Sequence, residues 1–341
     1  MTVRSTNETE KIVLSDVEVT LDDRVRLLSA LLAASRYPDE IQKTHLHGTH
    51  MHARRTQKQL SGFSEHPAVI ILQNLLQNSV PLTYLFKYML MVDPISLLAD
   101  THPDWIPVDF GRHLRDFAEK AKLSTWWQQE QSEWSKSFTD CEEIFATIQL
   151  KPFLEQFIGP VLDTFLFMPN IGYPTNEEVS FRVQDKLFAI IPPRLAWGES
   201  PPWPFDEDPT HAIRAALISY GRVLMLEFLR MNKDDLDPRE LPPLPIDDAM
   251  IAAFPSWQEQ FTELFVTGAT AIYLEDYISK QEADAYVLME RKVRGLTILP
   301  SVVSVLRNYL NELEAGKNKP FIELLPVFPK QLKLAKRFAS L

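Results

Sequence analysis

The chain has one cysteine, Cys141, so an intramolecular disulfide and every multi-cysteine zinc or iron–sulfur site are excluded. Its 10 glycines are scattered, the nearest pair being Gly159 and Gly172. Phosphate loops of the G-x-G-x-x-G or G-x-x-x-x-G-K-[ST] kind need several glycines close together, because backbone amides must crowd the phosphate without Cβ atoms in the way. The same dispersal excludes a G-x-S-x-G nucleophile elbow. No apolar run reaches the roughly 20 residues that span a bilayer. Met1 to Val13 is polar and lacks the apolar stretch of a secretory signal. A cytoplasmic protein without membrane contact is expected. Basic charge is short as well: 35 Lys+Arg against 46 Asp+Glu give a net charge of -11. Such a surface repels phosphate backbones, so no nucleic-acid partner is expected. The best basic stretch, Lys330, Lys333, Lys336 and Arg337, reads as the solvated side and C-terminal turn of a helix.

What is present is ordinary globular composition, 341 residues with 45% hydrophobic and 24% charged content, enough for a sizeable core. Ile12 to Leu21 is rich in Val and Ile and reads as a short strand. Asp22 and Asp23 open a helix that Tyr37-Pro38 stops. Helical patterns fill Met51 to Val92, with a start at His66-Pro67, and resume from Phe110 to Phe157 after a loop. Trp127 and Trp134, seven residues apart, share one helical face and belong to the core. Val179 to Val183 alternates, Gln184-Asp185-Lys186 can turn, and Leu187 to Ile191 is apolar, which makes a hairpin. Two proline-rich passages, Pro192 to Pro209 and Asp234 to Pro255, flank a long helix from Asp208. Four further helices are expected over Trp257–Tyr277, Lys280–Arg294, Pro300–Glu314 and Lys319–Phe338. The expected fold is α+β and predominantly α-helical, with a small antiparallel β-sheet. Its expected division is an N-terminal region, 1–207, and a helical C-terminal lobe, 208–341, forming one two-lobed unit.

With phosphate loops and thiolates excluded, histidine and carboxylate chemistry is left. Four of the 8 histidines, His45, His47, His50 and His52, fall within one octapeptide. Locally extended, each H-x-H pair lies on one side of the backbone, and imidazoles so placed can share a metal. The other reading is a histidine-rich loop entering the next helix, and both stay open. Asp208-Pro209-Thr210-His211 is a capped, proline-led helix start that puts His211 in the first turn. Glu263 stands between apolar residues on a later helix and faces inward. Cys141 lies between Asp140 and Glu142, whose carboxylates raise a thiol pKa, so it is a poor nucleophile. Glu177 and Glu178 read as solvated.

The order of His66-Pro67-Ala68-Val69, Trp126-Trp127, Met168-Pro169-Asn170 before the hairpin, the His211 helix, and Phe261-Thr262-Glu263 before Tyr273 resembles an uncharacterised bacterial family of gluzincin-type zinc metallopeptidases, a domain of unknown function. The resemblance runs over roughly residues 22–338 and implies a gluzincin-like fold. In such enzymes one helix carries H-E-x-x-H, two zinc-binding imidazoles and a general-base glutamate, and a later helix adds a glutamate ligand. The resemblance places His211 on the first histidine and Glu263 on the later glutamate. Ala212 stands where it implies the catalytic glutamate, and Ala215 where it implies the second histidine. Zinc would then have two protein ligands where catalytic sites use three. The missing base is worth on the order of 10²–10⁴ in rate. The resemblance therefore implies a pseudoenzyme with no catalytic residue and no cofactor, whose former cleft binds a peptide or protein partner. The alternative is a metal-dependent hydrolase with zinc on a non-standard site drawn from His45, His47, His50 and His52 with His211 and Glu263.

Overall fold

The computed structural model describes residues 15–44, 46–99, 102–234, 236, 241–317 and 319–339, without the side chains of 334–339. In chain order the elements are β1 Val17–Val19, α1 Asp23–Ala34, α2 Tyr37–Thr44, α3 Met51–Gln59, α4 Pro67–Gln77, α5 Leu82–Met91, α6 Phe110–Lys120, α7 Leu123–Gln129, α8 Gln131–Phe145 and α9 Lys151–Ile158. Then come β2 Thr164–Pro169, β3 Val179–Val183, β4 Lys186–Ile191, α10 Pro209–Met231, α11 Asp248–Ala253, α12 Trp257–Tyr273, α13 Lys280–Val293, α14 Leu299–Glu314 and α15 Phe328–Ala339. The fold is α+β and predominantly helical. Among the described residues no helix is long and apolar enough to cross a membrane.

The strands form one sheet in the order β1-β2-β4-β3. The sheet is mixed, which corrects the expected antiparallel one: β1 and β4 both run parallel to β2, and only the β3–β4 hairpin is antiparallel. β2 is buried on both faces, so its sequence is a continuous apolar run with no alternation to mark it as a strand. Alternate residues do feed opposite cores. Phe165, Phe167, Leu187, Ala189 and Ile191 pack with α8, α9, α10, α12 and α14. Leu166, Met168, Phe181, Phe188 and Ile190 pack with α1, α4, α5 and α6 on the other side. The sheet is thus the shared wall of two helical layers. Cys141, Phe145, Phe153 and Phe157, from α8 and α9, belong to the core of the C-terminal helices. The division between cores therefore does not follow the chain at 207/208.

Helix α10 is buried over most of its circumference, which explains the run of small residues Ala212, Ala215, Ala216 and Ser219 within it. They let α12 pack close. A Cβ on Gly221 would stand 3.2 Å from Val266 Cγ1 of α12. Helix α12 starts at a capping box, in which Ser256 Oγ accepts from the Glu259 N–H and Glu259 accepts from the Ser256 N–H. Ser256→Ala should lower stability by about 1 kcal/mol. A shifted urea midpoint with an unchanged slope would register that loss, and an unmoved midpoint would count against the cap.

Candidate functional site

Asp208 caps α10 by accepting from the His211 N–H at 3.1 Å, and Pro209 occupies the first turn, as the sequence led us to expect. His211 Nε2 lies 3.0 Å from the Pro192 carbonyl oxygen. A carbonyl can only accept, so Nε2 carries the proton and Nδ1 the lone pair. Burial brings the imidazole pKa down to about 4, against the favourable Pro192 carbonyl and together with the nearby Arg214 charge. His211 is a neutral ring held by the backbone. Ala212 and Ala215 are sealed in the core beneath it.

Glu263 projects from α12 and is 2% exposed. Arg222 Nη2 from α10 donates to one carboxylate oxygen at 2.9 Å, and Arg294 Nη2, just past α13, donates to the other at 2.5 Å. Burial raises the carboxyl pKa, but the two guanidinium groups outweigh it and hold Glu263 below its ordinary value. Arg294 also donates to Glu290 of α13 at 3.0 Å, and burial raises the Glu290 carboxyl. Glu178, immediately before β3, lies within the field of Arg222, Arg214, Glu263 and Arg294. Desolvation by the surrounding protein raises its carboxyl pKa, against the pull of Arg222 and Arg214. Arg214, Arg222 and Arg294 thus share one electrostatic neighbourhood with Glu178, Glu263 and Glu290, drawn from α10, α12, α13 and the residues at the end of α13 and before β3.

β3 is the edge of the sheet. Its faces are covered by α5 and α10. Among the described residues, its backbone hydrogen-bonds only to β4. One row of its amides and carbonyls, beside the charged cluster, therefore has no strand partner among the described residues, the arrangement of an edge that can accept a further strand.

The histidine-rich loop goes elsewhere. His45 lies outside the described residues. Gly48 is pressed against the proline-rich passage: its N–H donates to Gly198 O at 3.2 Å, and a Cβ would fall 1.7 Å from Ser200 O. His47 is buried, with Nε2 2.8 Å from Thr175 Oγ1. His50 caps α3 through Nδ1, and burial brings its pKa down to about 4. His52 sits between Trp134, whose Nε1–H donates to His52 Nε2 at 3.1 Å, and Glu130, 3.1 Å from Nδ1. The Trp134 donor requires a lone pair on Nε2, so the proton is on Nδ1 and points at Glu130. Burial brings His52 down to about 4 as well. Among the described residues these rings are taken up by Thr175, the start of α3, Trp134 and Glu130, and no hydrogen bond joins His50 or His52 to His211 or Glu263. Among the described residues no group of three or more His, Cys, Asp or Glu side chains is arranged to hold a metal ion. The residues present do not fit zinc: one expected ligand is locked between two arginines, and the other spends Nε2 on a backbone carbonyl.

Trp127 and Trp134 do face one another's side of the core, though from two helices broken at Glu130. Between them they hold the Arg26 guanidinium, 4.5 Å and 4.9 Å from the ring centroids. Cys141 is buried, and burial first, then Asp140, raises its thiol pKa well above the ordinary value. A concavity of about 880 Å³ lies between α14 and the segment that leads into α15 and is lined by Ser304, Asn308, Asn311, Lys317 and Lys319 among others. It contains none of the cleft residues. Sequence reasoning missed Arg214, Arg222, Tyr286, Glu290 and Arg294. The one signal for them is charge at helix positions that otherwise read as apolar, as at Arg222 between Gly221 and Val223. No family model, no curated protein and no solved structure matches this chain.

Proposed function

We propose that this chain is a catalytically inactive, metallopeptidase-like protein of gluzincin type that binds an extended peptide segment in the cleft formed by β3, α10, α12 and α13. The observation that carries the reading is the Glu263 carboxylate, both oxygens of which are taken by Arg222 and Arg294. A buried carboxylate that accepts from a guanidinium on each oxygen serves as a structural anchor between three helical segments. Ala212 and Ala215 add no base and no imidazole. What the cleft retains is the recognition half of a peptidase: a free strand edge for backbone pairing and a charged wall for side chains or termini. The acidic net charge of -11 argues against nucleic acid as the partner. A lone cysteine suits a cytoplasmic setting.

Two measurements test this. Elemental analysis of protein purified without added metal should find zinc far below one equivalent. A full equivalent that disappears in His211→Ala would overturn the inactive reading and favour the metal-dependent hydrolase. A peptide selected from a random library should bind and should lose affinity when alternate backbone nitrogens are methylated. Indifference to methylation would remove β3 from the site.

A further inference from the structure

One guanidinium of the cleft is left over. Arg222 and Arg294 are committed to Glu263 and Glu290. Arg214, one turn into α10, forms no ion pair among the described residues, and its Nε is buried without a hydrogen-bond partner. Its guanidinium carbon lies 5.5 Å from the centroid of the Tyr286 ring of α13. Tyr286 is 3% exposed and packs with Ala271, Leu274 and Ala283, and its hydroxyl is likewise buried with no partner.

Buried polar groups in folded proteins are almost always satisfied, and Arg214 Nε and the Tyr286 hydroxyl belong to two side chains, on two helices, that meet guanidinium over ring, which lets one acceptor serve both. Arginine can only donate, and a tyrosine hydroxyl donates readily, so the missing partner is an acceptor. A guanidinium fork matches a planar carboxylate with two parallel hydrogen bonds. The charge of the acceptor is also constrained. Glu178, Glu263 and Glu290 all lie in the same electrostatic neighbourhood. They would repel a doubly charged phosphate more than a singly charged carboxylate.

We infer that Arg214 and Tyr286 form a receptor for a single carboxylate group, supplied by the C-terminus or an acidic side chain of the peptide that pairs with β3. The origin of the carboxylate rests on the peptide-binding reading above; the receptor itself does not. Glu178, unpaired among the described residues and within the field of Arg214, is the internal competitor for Arg214 when the site has no ligand.

The test uses the full chain at constant ionic strength, with acetate and N-acetylglycine as probes and inorganic phosphate as control, followed by calorimetry or amide chemical shifts. Acetate and N-acetylglycine should bind saturably, with phosphate about tenfold weaker or more. Arg214→Gln and Tyr286→Phe should each weaken acetate by about tenfold or more, and Glu178→Gln should tighten it. Tyr286→Phe keeps the ring in place, so it remains informative if the arginine variant does not fold. Failure of acetate to saturate would leave a water as the only bridge and overturn the proposal. So would binding indifferent to both variants, or phosphate binding more tightly than acetate. A selected peptide compared with its C-terminally amidated form then separates the two sources: loss on amidation assigns the terminus, and retention assigns an acidic side chain. If acetate binds and no peptide does, the receptor stands and the peptide-binding reading falls.

Discussion

Glu263→Ala is expected to lower stability by about 3 kcal/mol, near the lower end of the range for breaking a buried ion pair by removing one partner. The lower end applies because the two arginine side chains are 34% and 39% exposed and can turn partly toward water once the carboxylate is gone. The loss comes from stranding Arg222 and Arg294 near one another, without the negative charge that offsets their mutual repulsion, and from a cavity beside α10. Glu263→Gln keeps the volume and isolates the electrostatic part. A triple replacement of Glu263, Arg222 and Arg294 by apolar residues of similar size should be close to neutral, because it leaves no uncompensated charge. Urea titrations of these variants decide the matter. If Glu263→Ala costs less than about 1 kcal/mol, the cluster does not anchor the cleft.

Acidification should produce the other large effect. His52 has a folded-state pKa of about 4 against an ordinary 6.5, and His50 and His211 are displaced in the same direction to the same value. Between those limits the unfolded chain binds more protons than the folded one, so stability rises with pH through that window. The contribution is complete above 6.5 and is lost as the pH falls toward 4. For His52, which is 3% exposed, a displacement from 6.5 to about 4 corresponds to on the order of 3 kcal/mol. The raised carboxyls of Asp16, Glu178 and Glu290 act in the opposite sense, in the carboxyl range. His52→Gln preserves an acceptor for Trp134 and a donor for Glu130 but cannot titrate. Its urea midpoint should vary less between neutral and mildly acidic pH than that of the parent chain. An identical pH dependence in the two proteins would show that His52 is not an acid-sensitive group.

The elements legible in the sequence were those with local signals. His66-Pro67 opens α4, with His66 Nδ1 accepting from the Ala68 N–H. Asp208-Pro209 opens α10, and the alternation at Val179 marks β3. The strand expected from Ile12 shortens to β1, Val17–Val19, its first residues, 12–14, lying outside the described set. The last expected helix is split: a short 3₁₀ turn, Phe321–Leu324, precedes α15, with Pro326 and Pro329 around the break. β2 left no local signature, because a doubly covered strand needs no polar face. The cleft was harder to foresee. Arg222 and Glu263 are 41 positions apart and Glu263 and Arg294 are 31 apart, on three helices. Helical periodicity correctly turned Glu263 inward, yet nothing in its own sequence neighbourhood names its partners.

The placement of β2 at the centre of the sheet also bears on how the chain is made. β1 must wait for β2, which follows it at Thr164, and β2 completes its other side only when β4 ends at Ile191. Until then, helices α1 to α7 have left the ribosome without the wall of Leu166, Met168, Phe181, Phe188 and Ile190 against which they pack. The parts of their apolar faces that pack on this wall stay uncovered until then, and such transiently exposed surface is prone to aggregation. A chain terminated before residue 164 lacks three of the four strands, and with them the apolar wall against which the N-terminal helical layer packs.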